Sequence, residues 1–97
     1  MRAYVIVQVE VLDQRVYDAY RKEVLPTIED FGGRFLVRGG TFTKLEGEWP
    51  YPRTVVIEFP SRADAEGWYR SPAYQNILPL RLKASRGNFI KIGRAHV

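Results

Sequence analysis

Residues 3–11 read Ala-Tyr-Val-Ile-Val-Gln-Val-Glu-Val, so that valine occupies every odd position from 5 to 11. Between the valines stand Tyr4, Ile6, Gln8 and Glu10. Alternation with a period of two is typical of a β-strand, because successive side chains of a strand point to opposite faces of its sheet. One face is purely aliphatic and the other is mixed. The stretch predicts a strand whose two faces meet different surroundings.

An amphipathic helix is predicted to follow, with Asp13 as its N-cap. Its apolar side chains fall on one stripe at helical spacing: Tyr17, Tyr20, Val24, Ile28 and Phe31. We interpret the two tyrosines as core residues; the alternative is a hydroxyl at the sheet edge that points into a cavity. Pro26 has no N–H for the helical hydrogen bond, so a kink or a break is expected near Leu25. The glycines at 32 and 33 are expected to close the helix.

Three more strands are predicted at residues 34–38, 54–59 and 87–92. In the first of them, strict alternation puts Phe35 and Val37 on one face and Leu36 and Arg38 on the other. The stretch 39–52 is predicted to be a loop or an extended arm. It carries four large apolar side chains, so a partner subunit is one candidate for the surface against which it packs.

A pair of short helices is predicted between residues 61 and 84. Ser61, followed three residues later by Asp64, resembles a capping box and opens the first helix. Ser71 caps the second helix, and Pro72 is tolerated in the first turn, where its missing N–H is not needed. Pro79 is expected to bend this second helix.

The predicted order is strand, helix, strand, strand, helical pair, strand. This order indicates an α+β fold, a ferredoxin-like βαββαβ sandwich in which the helices cover one face of an antiparallel four-stranded sheet. The other face is predicted to carry Tyr4, Ile6, Leu36 and Val56, an apolar patch larger than a soluble monomer normally exposes. We therefore predict a homodimer.

Composition narrows the possible functions. A chain of 97 residues with 45% hydrophobic and 27% charged residues predicts a single globular domain over 1–97. It has no apolar run of membrane-spanning length, so we predict a cytoplasmic protein with no membrane partner. The absence of cysteine excludes thiolate nucleophiles and Cys-based zinc sites. The net charge of +4 is scattered along the chain, and the strands lack paired aromatics for stacking bases. Nucleic acid is therefore not a predicted partner.

Four short segments carry a family resemblance. They are Arg-Phe-Leu-Val-Arg-Gly-Gly at 34–40, Glu-Gly at 46–47, Val-Ile-Glu-Phe-Pro-Ser at 56–61 and Trp-Tyr-Arg-Ser-Pro-Ala-Tyr-Gln at 68–75. With them, nearly the whole chain resembles the domain-of-unknown-function family 1330, within the dimeric α/β-barrel superfamily. The resemblance implies a homodimer whose two sheets form a barrel beside small-molecule cavities. It implies no particular reaction, because related branches differ in chemistry.

Two strand residues are candidates for ligand binding. Arg38 ends a strand beside two glycines, so its guanidinium is suited to hold a carboxylate or an enolate. Glu58 is two residues from Val56 in the same predicted strand, so both point to the open face. Desolvation in a cavity there would raise the pKa of Glu58 and make it a possible base. The alternatives are structural. Arg38 would form a salt bridge with Glu58 or Glu46 or be solvent-exposed, and Glu58 would belong to an ion pair.

The helical pair supplies four more candidates. Trp68, Tyr69 and Tyr74 surround the junction between the two helices, and aromatic rings with polar tips are suited to the wall of a pocket. Arg81 follows Tyr74 by two helical turns, which predicts an aromatic and cation pair at a pocket mouth. Packing in the core or at a dimer interface is the alternative for the aromatic residues.

We therefore predict a homodimeric small-molecule-binding domain of uncharacterised activity, with a cavity between sheet and helices near the dimer interface. Its ligand is expected to be a small anion or carbonyl compound. The alternative is a cofactor-independent enzyme of monooxygenase, isomerase or lyase type acting on a small acid or carbonyl compound. The sequence identifies no catalytic residue, metal site or cofactor, and His96 is interpreted as solvated.

Overall fold

The computed structural model describes residues 1–93, so the prediction for His96 lies outside the described residues. The elements are β1 (Ala3–Val11), α1 (Gln14–Glu29), β2 (Arg34–Arg38), β3 (Arg53–Phe59), α2 (Arg62–Arg70), α3 (Pro72–Ala84) and β4 (Ser85–Gly93). Their order is the predicted one, and β3 and β4 are slightly longer than predicted. No helix within this range is long and apolar enough to cross a bilayer.

The sheet has strand order β2-β3-β1-β4, and every neighbouring pair is antiparallel. The odd-numbered face of β1 is buried against the helices, together with its cross-strand neighbours, such as Ile57 opposite Val5 and Phe89 opposite Val7. We call this the covered face. The predicted ferredoxin-like α+β fold is confirmed.

The opposite side of the sheet, which we call the open face, carries an apolar patch. Tyr4, Ile6 and Val56 are half-buried there, as their parity predicts. Ile90 and Ile92 lie beside them, opposite Ile6 and Tyr4, and are 54% and 50% exposed. No helix of the described chain covers these residues, so the open face meets water in the isolated subunit.

A β-bulge in β2 overturns one prediction. Phe35 lies opposite Ile57, but Val37 lies opposite Val56, because Leu36 is an extra residue without a cross-strand partner. The bulge interrupts the alternation, so Val37 rather than Leu36 shares the open face with Val56. Arg38 lies opposite Val55 and therefore projects from the covered face.

The helices follow their predicted caps. The side chain of Asp13 accepts a hydrogen bond from the backbone N–H of Val16, and Gly32 closes α1 with a φ of 74°. Of the predicted kink or break near Leu25, the break does not occur, because α1 continues through Pro26 to Glu29. The loss of one backbone hydrogen bond at the proline is offset by the packing of the buried stripe on both sides of it.

The indole of Trp68 is the largest fully buried side chain. Its Nε1–H donates to the hydroxyl of Thr27 over 3.0 Å, and that hydroxyl donates in turn to the carbonyl of Val24 over 2.6 Å. Its ring centroid lies 5.4 Å from that of Phe59. One threonine therefore satisfies the only polar group of the core tryptophan and ties α2 to α1.

Replacing Thr27 by valine tests this link. The shape is kept, but the indole N–H is left buried without an acceptor, so we expect a loss of about 1–3 kcal/mol in the free energy of unfolding. Thr27→Ser keeps the hydroxyl and serves as the control. Urea unfolding of T27V, W68F and the double variant measures the coupling between the two side chains. If T27V lowers the free energy of unfolding by the same amount in the wild-type protein and in the W68F variant, the link is contradicted.

Candidate functional site

A cavity lies between the covered face of the sheet and the helices α1 and α3. Apolar side chains of both layers form its walls, among them Val7, Val24, Val55 and Ile57. Four arginines also contribute to its lining: Arg21, Arg38, Arg53 and Arg81. We call it the arginine cavity.

Three of these residues, Arg21, Arg38 and Arg53, lie at the solvent side of the cavity, and we call them the mouth arginines. Arg38 is exposed and the other two are half-buried. Nη2 of Arg38 donates to the carbonyl of Arg21 over 3.2 Å, and Nη2 of Arg53 reaches the carbonyl of Arg38 at 3.5 Å. Among residues 1–93, the buried Nε atoms of Arg21 and Arg53 have no hydrogen-bond partner.

Partial burial lowers the pKa of Arg38, and the positive charges of Arg21 and Arg53 lower it further. Its guanidinium carbon lies 4.3 Å from the ring centroid of Phe35, and that of Arg53 lies 5.8 Å from the ring centroid of Tyr17. The aromatic faces partly offset the mutual repulsion of the cations. The mouth of the cavity is therefore a concentration of positive charge that an anion would relieve.

At the other end of the cavity, Arg81 is only 7% exposed. Its Nε donates to the hydroxyl of Tyr74 over 3.2 Å, and the hydroxyls of Tyr74 and Tyr20 are 2.9 Å apart. Its guanidinium carbon lies 3.9 Å from the ring centroid of Phe89. Within the described chain, no carboxylate forms a salt bridge with Arg81. We call Tyr20, Tyr74 and Arg81 the buried donor group.

The arginine cavity has a volume of ≈ 30 Å³, which is room for about one or two water molecules. A larger depression of ≈ 530 Å³ lies under the arm at residues 39–52, beside Phe42, Leu45 and Trp49. That depression is open to solvent and mostly apolar. We regard the arginine cavity as the candidate site, because a buried cation without a carboxylate partner among residues 1–93, as Arg81 is, is rarer and more specific than a surface hollow.

The structure brings three of the predicted site residues together. Arg38 and Arg81 line the same cavity, and Tyr74 contacts Arg81. The predicted pairing of Tyr74 with Arg81 therefore exists, as a hydrogen bond to the hydroxyl. The cation–π contact of Arg81 is with Phe89, a strand residue that the helical spacing could not reveal.

The other predicted residues lie outside the cavity. Trp68 is part of the core, as the packing alternative proposed. Tyr69 is partly exposed and lines a separate depression with Glu66 and Lys91, which form a salt bridge. Its ring also packs against that of Tyr74, with centroids 5.5 Å apart.

Glu58 lies on the open face, on the opposite side of the sheet from the cavity. Its Oε1 forms salt bridges of 3.0 Å with both Arg2 and Arg34. Burial alone would raise the pKa of Glu58, but the hydrogen bond from Arg34 and the charges of both arginines outweigh burial and lower the pKa. The expected raised pKa is wrong. The ion-pair alternative holds, with these two arginines as partners instead of Arg38.

Arg21, Arg53 and Tyr20 were missed as site residues. Arg53 directly precedes the predicted strand 54–59 and is two residues from Val55. Residues two apart in a strand point to the same face, so this spacing could have assigned Arg53 to the covered face. Its guanidinium packs against Gly39, whose φ is 79° and where a Cβ would collide with it. A glycine at this position is what gives Arg53 its space.

Fold and site together define a ferredoxin-like α+β protein with an arginine-lined cavity between sheet and helices. The Domain of unknown function (DUF1330) family matches residues 2–94. The chain therefore belongs to this family. No protein of curated function matches the sequence.

Solved structures of the same fold are similar to it. A protein of unknown function from Rhodopseudomonas palustris, RPA0582, has 19% identity and a TM-score of 0.77, covering 99% of this chain and 84% of its own. A dimeric ferredoxin-like protein of unknown function from Jannaschia sp. CCS1 has 16% identity and a TM-score of 0.71, covering 97% and 100%. SnoaB, a cofactor-independent oxygenase from Streptomyces nogalater, has 7% identity and a TM-score of 0.62, covering 99% and 95%.

The lowered pKa of Glu58 predicts a pH dependence of stability. A carboxylate with a lowered pKa stabilises the native state above its unfolded pKa of about 4.3, and that stabilisation is lost as the pH falls through the native pKa. We expect Glu58→Gln to melt below wild type at pH 7, with the difference shrinking as the pH falls below about 4.3. Thermal melts across this range measure it, with the exposed Glu48→Gln as control. A constant difference at all pH values would contradict the ion pair.

Proposed function

We propose that this protein is a homodimeric small-molecule-binding protein that holds a small carboxylate or similar anion at the mouth arginines. The observation that carries the proposal is the pair of buried, unpartnered Nε–H groups on Arg21 and Arg53, within the described residues. A buried donor without an acceptor costs about 1–3 kcal/mol. A ligand oxygen that accepts from these groups would recover that cost on binding.

Charge supports an anion as the ligand. Three guanidinium groups converge at the mouth, while the salt bridge of Arg21 with Asp18 is long at 3.6 Å and exposed. A guanidinium presents its donors in a planar fork that matches a carboxylate. The net charge of +4 favours the approach of an anion from solvent.

The apolar walls of the arginine cavity favour a ligand that is apolar between its polar ends. Between the mouth arginines and the buried donor group the lining is aliphatic and aromatic. Ligand sites generally combine such walls with a few polar groups that fix orientation. A cavity of ≈ 30 Å³ is smaller than such ligands, so binding requires the exposed side chain of Arg38 to swing outwards.

A second copy of the chain is the proposed partner of the open face. Val37, Ile90 and Ile92 form an exposed apolar patch there, and the similar Jannaschia protein is described as dimeric. Burying the patch between two sheets would remove it from water, which is the main favourable term in association. The cytoplasmic location, like the exclusion of nucleic acid, stays a prediction from the sequence.

The alternative function is a cofactor-independent enzyme, which the fold of SnoaB makes relevant. Among residues 1–93, the cavity lining contains arginines and tyrosines but no carboxylate and no imidazole. Such a lining can bind and polarise a substrate, but it contains no carboxylate or imidazole to act as a general base near neutral pH. Ligand binding is therefore the function that the site supports best.

The anion site is tested with hexanoate as the probe. We expect wild type to bind it with millimolar or better affinity. Arg53→Gln should lower that affinity roughly 10- to 100-fold, because a hydrogen bond between charged groups contributes about 1.5–3 kcal/mol. Calorimetry or chemical-shift titration at low salt measures the affinity, with the exposed Arg70→Gln as matched control. Equal binding by R53Q and wild type would contradict the proposal.

The dimer is tested by Ile90→Lys. A charge in the middle of an apolar interface is strongly unfavourable, so we expect a dimeric wild type and a monomeric variant at micromolar concentration. Leu82→Lys, on the outer side of α3, is the control because Leu82 is 62% exposed. Light scattering after size exclusion gives the masses. A monomeric wild type, or a dimer that survives I90K, would contradict this interface.

A further inference from the structure

The arginine cavity has a second polar end that a simple carboxylate would leave unused. We propose that the buried donor group binds an oxygen acceptor at the far end of the ligand, so that the ligand is an oxo-carboxylate: a carboxylate joined by a short apolar chain to a carbonyl oxygen. This inference rests on the proposed anion site and adds the class of molecule that fills the cavity.

The direction of the hydrogen bonds supplies the first argument. The Nε of Arg81 can only donate, so the oxygen of Tyr74 accepts at 3.2 Å. The hydroxyls of Tyr74 and Tyr20 are 2.9 Å apart, and either can donate to the other. We assign Tyr74 as the donor, because Tyr20 lines the cavity and Tyr74 does not. The opposite direction would leave the buried proton of Tyr74 without an acceptor among residues 1–93. The proton of Tyr20 is therefore left over, on a residue that lines the cavity.

The protonation states supply the second argument. Burial raises the pKa of Tyr20, and the neighbouring Tyr74 raises it further. Burial also raises the pKa of Tyr74, although the charge of Arg81 acts in the opposite direction. Both hydroxyls therefore remain protonated at neutral pH. The far end of the cavity consists of hydrogen-bond donors, and it is suited to an acceptor rather than to a cation.

The position of Arg81 supplies the third argument. It is 7% exposed, and its guanidinium is stacked on Phe89, which orients the planar group. Within the described residues it has no salt bridge, so its charge is not neutralised inside the fold. An isolated buried cation is costly unless something accepts its hydrogen bonds. A carbonyl oxygen accepts from Arg81 and Tyr20 without bringing a second charge into the apolar walls.

The two ends differ in exposure, which fixes the orientation of the ligand. Arg38 at the mouth is exposed, so the fully charged carboxylate keeps part of its contact with water there. The neutral carbonyl group goes to the buried end, where the desolvation cost is lower. Once Arg38 has swung outwards, the aliphatic walls between the two ends would face a short methylene chain.

Matched pairs of acids test the inference. The probes are 4-oxopentanoate, 5-oxohexanoate and 6-oxoheptanoate, each compared with the parent acid that lacks the keto group. At the length that spans the cavity, we expect the oxo acid to bind wild type roughly 10-fold more tightly than its parent, because only the oxo acid accepts from the buried donors. Calorimetry or chemical-shift titration gives each pair of dissociation constants.

Tyr20→Phe removes the cavity-facing hydroxyl and should abolish the preference for the oxo acid over its parent. Arg81→Gln is a second variant with the same expected loss, and circular dichroism checks that both variants fold. Tyr69→Phe is the matched control, since its ring packs on Tyr74 outside the cavity, and it should keep the preference.

The outcomes separate the two proposals. If every oxo acid and its parent bind wild type equally, the buried donor group binds no ligand oxygen, and the anion site alone stands. The same conclusion follows if folded Y20F and R81Q keep the full preference. If neither class of acid binds wild type, the anion site fails and this inference fails with it.

Discussion

The burial of the odd-numbered face of β1 beneath the helices is the constraint from which the rest of the architecture follows. β1 lies between β3 and β4, so its parity fixes which residues of both neighbours point towards the helices. Val9 lies opposite Arg53, and Val7 lies opposite both Val55 and Phe89. The same register that buries the valines therefore delivers an arginine and an aromatic ring to the cavity.

Accommodating arginines beside an apolar core requires particular support. A guanidinium is more weakly hydrated than an ammonium group and stacks on aromatic faces, so it tolerates partial burial better than a lysine would. Here Phe35, Tyr17 and Phe89 each provide such a face. These contacts reduce the cost of burial but supply no counter-charge. The guanidinium groups are therefore tolerated beside the apolar core, and an anion is the ligand that we propose for them.

Much of the fold could be predicted from the sequence, because its signals are local. The alternation in β1, the caps at Asp13, Ser61 and Ser71, and the glycine at 32 each act within a few residues. The bulge at Leu36 could not be predicted in this way. It arises from the pairing of β2 with β3, and strict alternation gives no sign of an extra residue.

The candidate site was predicted only in part. Arg38, Tyr74 and Arg81 carried recognisable spacing, and the structure brings all three to one cavity or its wall. Arg21 was missed because a charged residue beside a helical stripe looks like a solvated one. Tyr20 was interpreted first as a core residue, and its ring is indeed buried. Its hydroxyl gains a polar neighbour only through the tertiary contact between α1 and α3.

The bulge also affects how relatives of this protein should be aligned. A homologue whose second strand is regular would have one residue fewer between Phe35 and Arg38 and could still present an arginine to the helices. An ungapped alignment would then compare a cavity residue of one protein with a residue of the opposite face in the other. Comparisons across the family need a gap at Leu36 before identity at position 38 is given any evolutionary meaning.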